Sequence, residues 1–157
     1  MASPKPSSIA IDRQAMRLVS AALRHVRDAE HLVAEGPDAS PDQAYHLAGY
    51  GPECMRKATL SVRWFDKAIG HRFDDNTEAA LEFAIALDPL AERYSPRRFG
   101  ARFPALASWR EDARYEATGS RTRADADRCV REAREATNDL LFALWADGRL
   151  LDEGEPW

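Results

Sequence analysis

Residues 40–60, SPDQAYHLAGYGPECMRKATL, decide the fold class because one short string carries both a helix start and a helical period. Ser40 is placed to cap, Pro41 suits a first helical position where its missing N–H is no loss, and Gln43 follows Ser40 at capping-box spacing. From there Ala44, Leu47, Ala48, Cys54, Ala58, Val62, Phe65 and Ile69 predict a long helix with one side turned to a core, closed by Gly70. Gly51-Pro52 interrupts it. Proline removes an amide donor and crowds the preceding turn, so a kink is expected near Tyr50.

Towards the N-terminus, Asp12 reads as the cap of a helix running to about Glu35, with Met16, Val19, Leu23, Val26 and Val33 on one face and Gly36-Pro37 as its end. Towards the C-terminus, Asp74-Asp75-Asn76 offers caps for a third helix through Leu81, Phe83, Ile85, Leu87 and Leu90, with Pro89 bending its last turns. Residues 95–119 are irregular, broken by Pro96, Gly100 and Pro104, and so long a connection is uncommon inside a domain. Thr122 and Asp125 then cap a final helix that turns Cys129, Val130, Ala133, Thr137, Leu140, Leu141 and Leu144 inward and stops at Asp147-Gly148. With no strand pattern, these segments predict an all-α, antiparallel four- to five-helix bundle over 12–148, flanked by flexible tails at 1–11 and 149–157.

Composition narrows the function classes. A net charge of −4 argues against a chain that grips nucleic acid over its whole surface, yet residues 93–134 hold eleven arginines against six acids. Cys54 and Cys129 stand alone, outside any CxxC pair, and read as buried thiols rather than a disulfide or zinc framework. No metal site or cofactor is expected. No apolar run is long enough to span a bilayer or serve as a secretory signal, so a cytoplasmic protein without membrane contact is expected. Nucleotide-binding glycine patterns, GxSxG and HExxH are absent, which lowers the weight of common NTPases, hydrolases and metalloproteases.

Two stretches carry a family resemblance. Leu23-Arg24-His25-Val26-Arg27-Asp28-Ala29-Glu30-His31-Leu32, followed by Tyr45-His46-Leu47-Ala48-Gly49-Tyr50 and Glu53-Cys54-Met55-Arg56-Lys57-Ala58, resembles the first two helices of HEPN-domain proteins. Trp109 to Tyr115 is similar to a Trp…Arg-Tyr element that one HEPN subgroup carries before its last helix. The resemblance implies a dimerising helical bundle, often encoded beside a minimal nucleotidyltransferase in bacterial defence or toxin-antitoxin modules. In active members it implies a metal-independent RNA endonuclease whose arginine and histidine lie in a late helix. This chain departs from that pattern: its histidines are His25, His31, His46 and His71, and none follows. Where Gly51-Pro52 stands, relatives typically carry small or apolar residues.

The resemblance also implies an arginine followed, after four to six residues, by a histidine, and one pair fits, Arg24 and His31 with six residues between them. Seven positions along a helix return to nearly the same azimuth, so guanidinium and imidazole would share a stripe with Arg27. Guanidinium stabilises charge on a pentacoordinate phosphate while imidazole takes the 2′-hydroxyl proton. The same residues also read as a solvated helix face. Glu53 and Lys57 suit an i,i+4 ion pair or, beside Pro52, a polar pair that binds phosphate through Lys57. Trp109, Arg114 and Tyr115 either stack a base and clamp a phosphate or pin the long connection to the bundle. Arg121, Arg128, Arg131 and Arg134 form a basic stripe interleaved with Asp127, Glu132 and Glu135, while Trp145 and Trp157 are candidates to cover a homodimer surface. The expected function is therefore an RNA-acting or RNA-binding protein with Arg24 and His31 as its catalytic pair. The competing expectations are a non-catalytic module that scaffolds a nucleotidyltransferase or another defence protein, and a small-nucleotide sensor.

Overall fold

Among the described residues three long helices pack on one another, and each buries a seam of residues at alternating steps of four and three. The structure, a computed structural model, describes residues 10–59, 71, 79, 82–83, 85–86, 91–94 and 98–150. Helix α1 (Arg13–Val33) starts at Asp12, whose carboxylate accepts from the Ala15 amide at 2.8 Å, and buries Ala15, Val19, Ala22, Val26 and Ala29. Helix α2 (Pro41–Thr59) begins at the expected proline and continues through Pro52, burying Ala44, Ala48, Gly51, Met55 and Ala58 along one line. Two four-residue helices, α3 (Ala91–Tyr94) and α4 (Phe99–Arg102), precede α5 (Pro104–Ala107) and a 3₁₀ turn (Glu111–Tyr115). The final helix α6 (Arg123–Ala146) buries Ala126, Val130, Ala133, Thr137, Leu140 and Leu144, and both halves of its Thr122–Asp125 capping box are formed. Among the described residues there is no strand.

The seams are rich in alanine, so the helix axes approach closely. Ala29 clusters with Ala44 and Ala48, whereas Ala15 clusters with Met55 and Ala58, so α1 runs antiparallel to α2. Helix α6 runs the other way: Ala126 and Cys129 share the first cluster and Leu140 and Leu144 the second, making α6 parallel to α2. The antiparallel expectation thus holds for α1 against its two partners, while the α2–α6 pair needs a long return crossing. Gly51 marks the tightest point. A Cβ there would lie 2.5 Å from Val26 Cγ2 and 3.2 Å from Thr137 Oγ1, so all three helices meet at a residue where any side chain would force a neighbour to shift.

Three expectations need correction. The irregular connection is structured, for Phe99, Phe103, Leu106 and Trp109 are all buried against α2 and α6. Glu132 of α6 caps it, accepting from the Ala105 and Leu106 amides at 2.8 and 3.1 Å, rather than standing as a solvated charge. The packed residues reach past 12–148, since Ile11 is buried with its N–H on Arg149 O at 2.9 Å and Arg149 is itself buried over the Tyr94 ring. Met16, Leu23 and Val33 are only half-buried, because the alanine positions take the centre of the α1 seam. Val62, Phe65, Ile69, Gly70, Asp74, Asp75, Asn76, Leu81, Leu87, Pro89, Leu90, Pro96 and Trp157 lie outside the described residues.

Candidate functional site

Because the seam of α1 is committed to the core, its opposite side is committed to solvent. Arg24, Arg27 and His31 are all exposed there. Seven residues of α-helix rise about 10.5 Å, so Arg24 and His31 bracket a group lying along the helix rather than touching each other. His25, next to Arg24, turns partly inward, and its ring lies 5.5 Å from the ring of Tyr50.

Tyr50 is the centre of a second, more enclosed arrangement. Around it stand His25, His46 at 5.1 Å, Trp109 at 5.2 Å and His71 at 6.4 Å between ring centroids. Gly49 is the reason Trp109 fits, since a Cβ there would lie 2.1 Å from two atoms of the indole. The indole N–H donates to His46 O at 3.2 Å and the ring is 1% exposed. Glu53, 3% exposed, accepts from Lys57 Nζ at 2.7 Å and pairs with His71 Nδ1 at 2.8 Å through the same oxygen. His71 Nε2 lies 3.1 Å from Glu111 Oε2, so this imidazole ties α2 to the 3₁₀ turn. Burial, reinforced by Arg114, holds His46 below the usual histidine range, and burial reinforced by Arg24 does the same to His25. Burial pushes the Tyr50 phenol up. Such groups stay neutral near pH 7 and serve as hydrogen-bonding and packing elements.

The two arrangements sort the expected site residues. Lys57 is half-buried and tied to Glu53, the ion pair its spacing predicts. Trp109 is enclosed, with no ring face open to a base, whereas Arg114 and Tyr115 are exposed, the guanidinium 4.8 Å from the phenol ring centre. The arginine stripe of α6 is largely neutralised: Arg131 pairs with Asp127 at 3.0 Å, Arg134 with Glu30 at 2.5 Å and Arg121 with Glu116 at 2.7 Å. Arg121 also stacks 4.3 Å over the Tyr45 ring. Nearby, Asp42 accepts from the amides of Gly119 at 2.7 Å and Arg121 at 2.9 Å, locking the start of α2 to the start of α6. On the outer side of α6, Phe142 and Trp145 are 65% and 66% exposed and 5.7 Å apart.

Sequence reading missed the convergence of His25, His46, Tyr50, His71 and Glu111. Its only local trace is that His46, Tyr50 and Glu53 share the HLAGYGPE string, while His25, His71 and Glu111 come from distant parts of the sequence. Burial pushes the thiols of Cys54 and Cys129 up to about 11 and about 12, so both are poor nucleophiles. Among the described residues no group of His, Cys, Asp and Glu is arranged to hold a metal ion, and no helix is long and apolar enough to cross a membrane. Set against protein-family models, curated proteins and solved structures, the chain matches none.

Proposed function

We propose that this chain is a HEPN-type helical bundle that binds and cleaves RNA, working as a cytoplasmic homodimer in a bacterial defence or toxin-antitoxin module. The observation that carries the reading is the exposed Arg24, Arg27 and His31 on the side of α1 opposite its buried seam. In the reaction, the ribose 2′-oxygen attacks the adjacent phosphorus while His31 takes its proton. Arg24 stabilises the added charge on the pentacoordinate phosphate, and the bond to the 5′-oxygen breaks. A 2′,3′-cyclic phosphate and a free 5′-hydroxyl result, the leaving oxygen taking its proton from water. The nucleophile is part of the substrate, so no metal is required to generate it.

Incubation of the purified protein with total RNA in chelator tests this. Cleavage lost in His31→Ala and Arg24→Ala but retained in Arg128→Ala, an exposed arginine on α6, supports the reading. Equal silence of wild type and His31→Ala removes the catalytic half of it.

A second reading, a non-catalytic module that scaffolds a nucleotidyltransferase or other defence protein, is favoured by the exposed Phe142–Trp145 pair. Apolar rings adjoining on one surface are what a partner covers. Under this reading a protein co-purifies with the wild type and is lost with Trp145→Ser.

A further inference from the structure

We infer that the outer face of α1 is a phosphate track that binds the backbone of single-stranded nucleic acid without regard to base sequence. The inference rests on the RNA-binding reading and specifies how that binding works. Its starting point is a rhythm. The buried residues of α1 fall at 15, 19, 22, 26 and 29, and a second series, Arg13, Arg17, Ser20, Arg24, Arg27 and His31, follows the same steps of four and three on exposed positions. The two series are offset by two residues, about 200° around the axis, so the cations lie directly behind the core seam. Helix α1 cannot roll to hide them without exposing Val19 and Val26, both buried between α2 and α6.

The charge on this face is available, whereas most of the charge along α6 and its cap is not. Among the described residues, Arg17, Arg24 and Arg27 form no ion pair, whereas Arg121, Arg123, Arg131 and Arg134 each lie on a carboxylate and only Arg128 of that series does not. Of the two acids within α1, Glu30 is held by Arg134 at 2.5 Å, and Asp28 sits on the flank of the stripe. From Arg17 to His31 the row extends about 21 Å. A row of guanidinium groups that long matches a chain of phosphates better than a single anion.

What the face lacks is as informative. Helix α1 contains no Phe, Tyr or Trp, so nothing on it offers an aromatic platform for a base, and on a convex helix face with no pocket for a base the guanidinium groups meet the phosphates first. A membrane surface fits less well. The apolar side of this helix is committed to the core, leaving nothing to insert between lipids.

The test uses the full chain and fluorescence anisotropy with two unrelated single-stranded RNA 20-mers and a 2′-deoxy strand, which lacks the nucleophile and is not cut. Three phosphate contacts predict a log–log salt slope near −2, about a 20-fold loss of affinity between 50 and 200 mM salt. Arg17→Gln and Arg27→Gln each flatten that slope by about 0.7, and their combination reduces the loss to about threefold. All three strands bind within about threefold of one another, and Arg131→Gln changes nothing. RNA binding whose salt slope is untouched by the α1 variants, or a tenfold preference for one sequence, overturns the track while leaving the RNA reading standing. Binding to anionic vesicles or an acidic peptide, with none to either RNA at 50 mM salt, overturns both.

Discussion

Replacing Gly49 with alanine tests whether the second-helix string is written for packing. In an exposed helix the change would stabilise by about 1 kcal/mol, because glycine is the poorer helix former. Here the new methyl would sit 2.1 Å from Trp109 Cδ2 and Cε2 and 2.6 Å from Nε1. The indole cannot yield cheaply, being 1% exposed, bonded to His46 O and packed on Tyr50 at 5.2 Å. If the core absorbs the methyl by shifting, overpacking costs about 1–3 kcal/mol or somewhat more. Expulsion of the indole instead forfeits roughly 4–6 kcal/mol, taking about 150–250 Å² of ring surface at about 25 cal/mol per Å². Set against the helix-propensity gain of about 1 kcal/mol, Gly49→Ala is expected to destabilise by about 1–2 kcal/mol by the cheaper route, rising to about 3–5 kcal/mol where the indole is expelled, as measured by urea unfolding. The decisive comparison is a double-mutant cycle. With Trp109→Ala, or Trp109→Leu where the alanine variant does not fold, Gly49→Ala becomes neutral or mildly stabilising. Gly100→Ala serves as a control, since its Cβ would meet only Ala107 Cβ at 3.3 Å. A neutral Gly49→Ala in the wild type, or an equal cost in both backgrounds, would refute the packing argument.

Acid should weaken the fold through His25 and His46. Both are held below the ordinary histidine value of about 6.5, so on acidification the unfolded chain takes up protons before the folded one does. Stability is then level above about pH 6.5 and falls below it, with a limit of about 1.4 kcal/mol per pH unit per histidine that partial solvation reduces. Thermal melts from pH 7.5 to 5.0 check this, and His46→Gln flattens the decline. For Asp42, whose carboxyl is held low by the Gly119 and Arg121 amides, the sign is the usual carboxylate one. Its contribution is complete above about pH 4 and disappears as pH falls through the folded value. Asp42→Asn is expected to cost about 1 kcal/mol at pH 7 and progressively less as the pH falls below about 4, as read from denaturant midpoints.

The family-like string gains a physical meaning from these contacts. Gly49 makes room for Trp109, Gly51 lets α1 and α6 close on α2, and Glu53 anchors Lys57 and His71. Residues that sit together in this string thus hold neighbouring elements together. The exposed cations on the first helix are separate from them.

Helix starts and stops were legible residue by residue because capping is local: Asp12 reaches the amide of Ala15, Thr122 and Asp125 answer each other, and Gly148 takes the positive φ that ends α6. The period that makes three amphipathic helices is equally local, and so the outward stripe of Arg24, Arg27 and His31 was readable from spacing alone. Residues 99–109 escaped because Gly100 and Pro104 cut them into turns too short to register as a period, though Phe99, Phe103, Leu106 and Trp109 are all buried at steps of four, three and three. The Tyr50 surroundings escaped for a different reason. His71 meets Glu53 across 18 positions, Trp109 meets His46 across 63 and the Gly119 amide meets Asp42 across 77. Such meetings depend on the relative direction and register of whole helices, and those follow from how alanine and glycine seams close on one another in space.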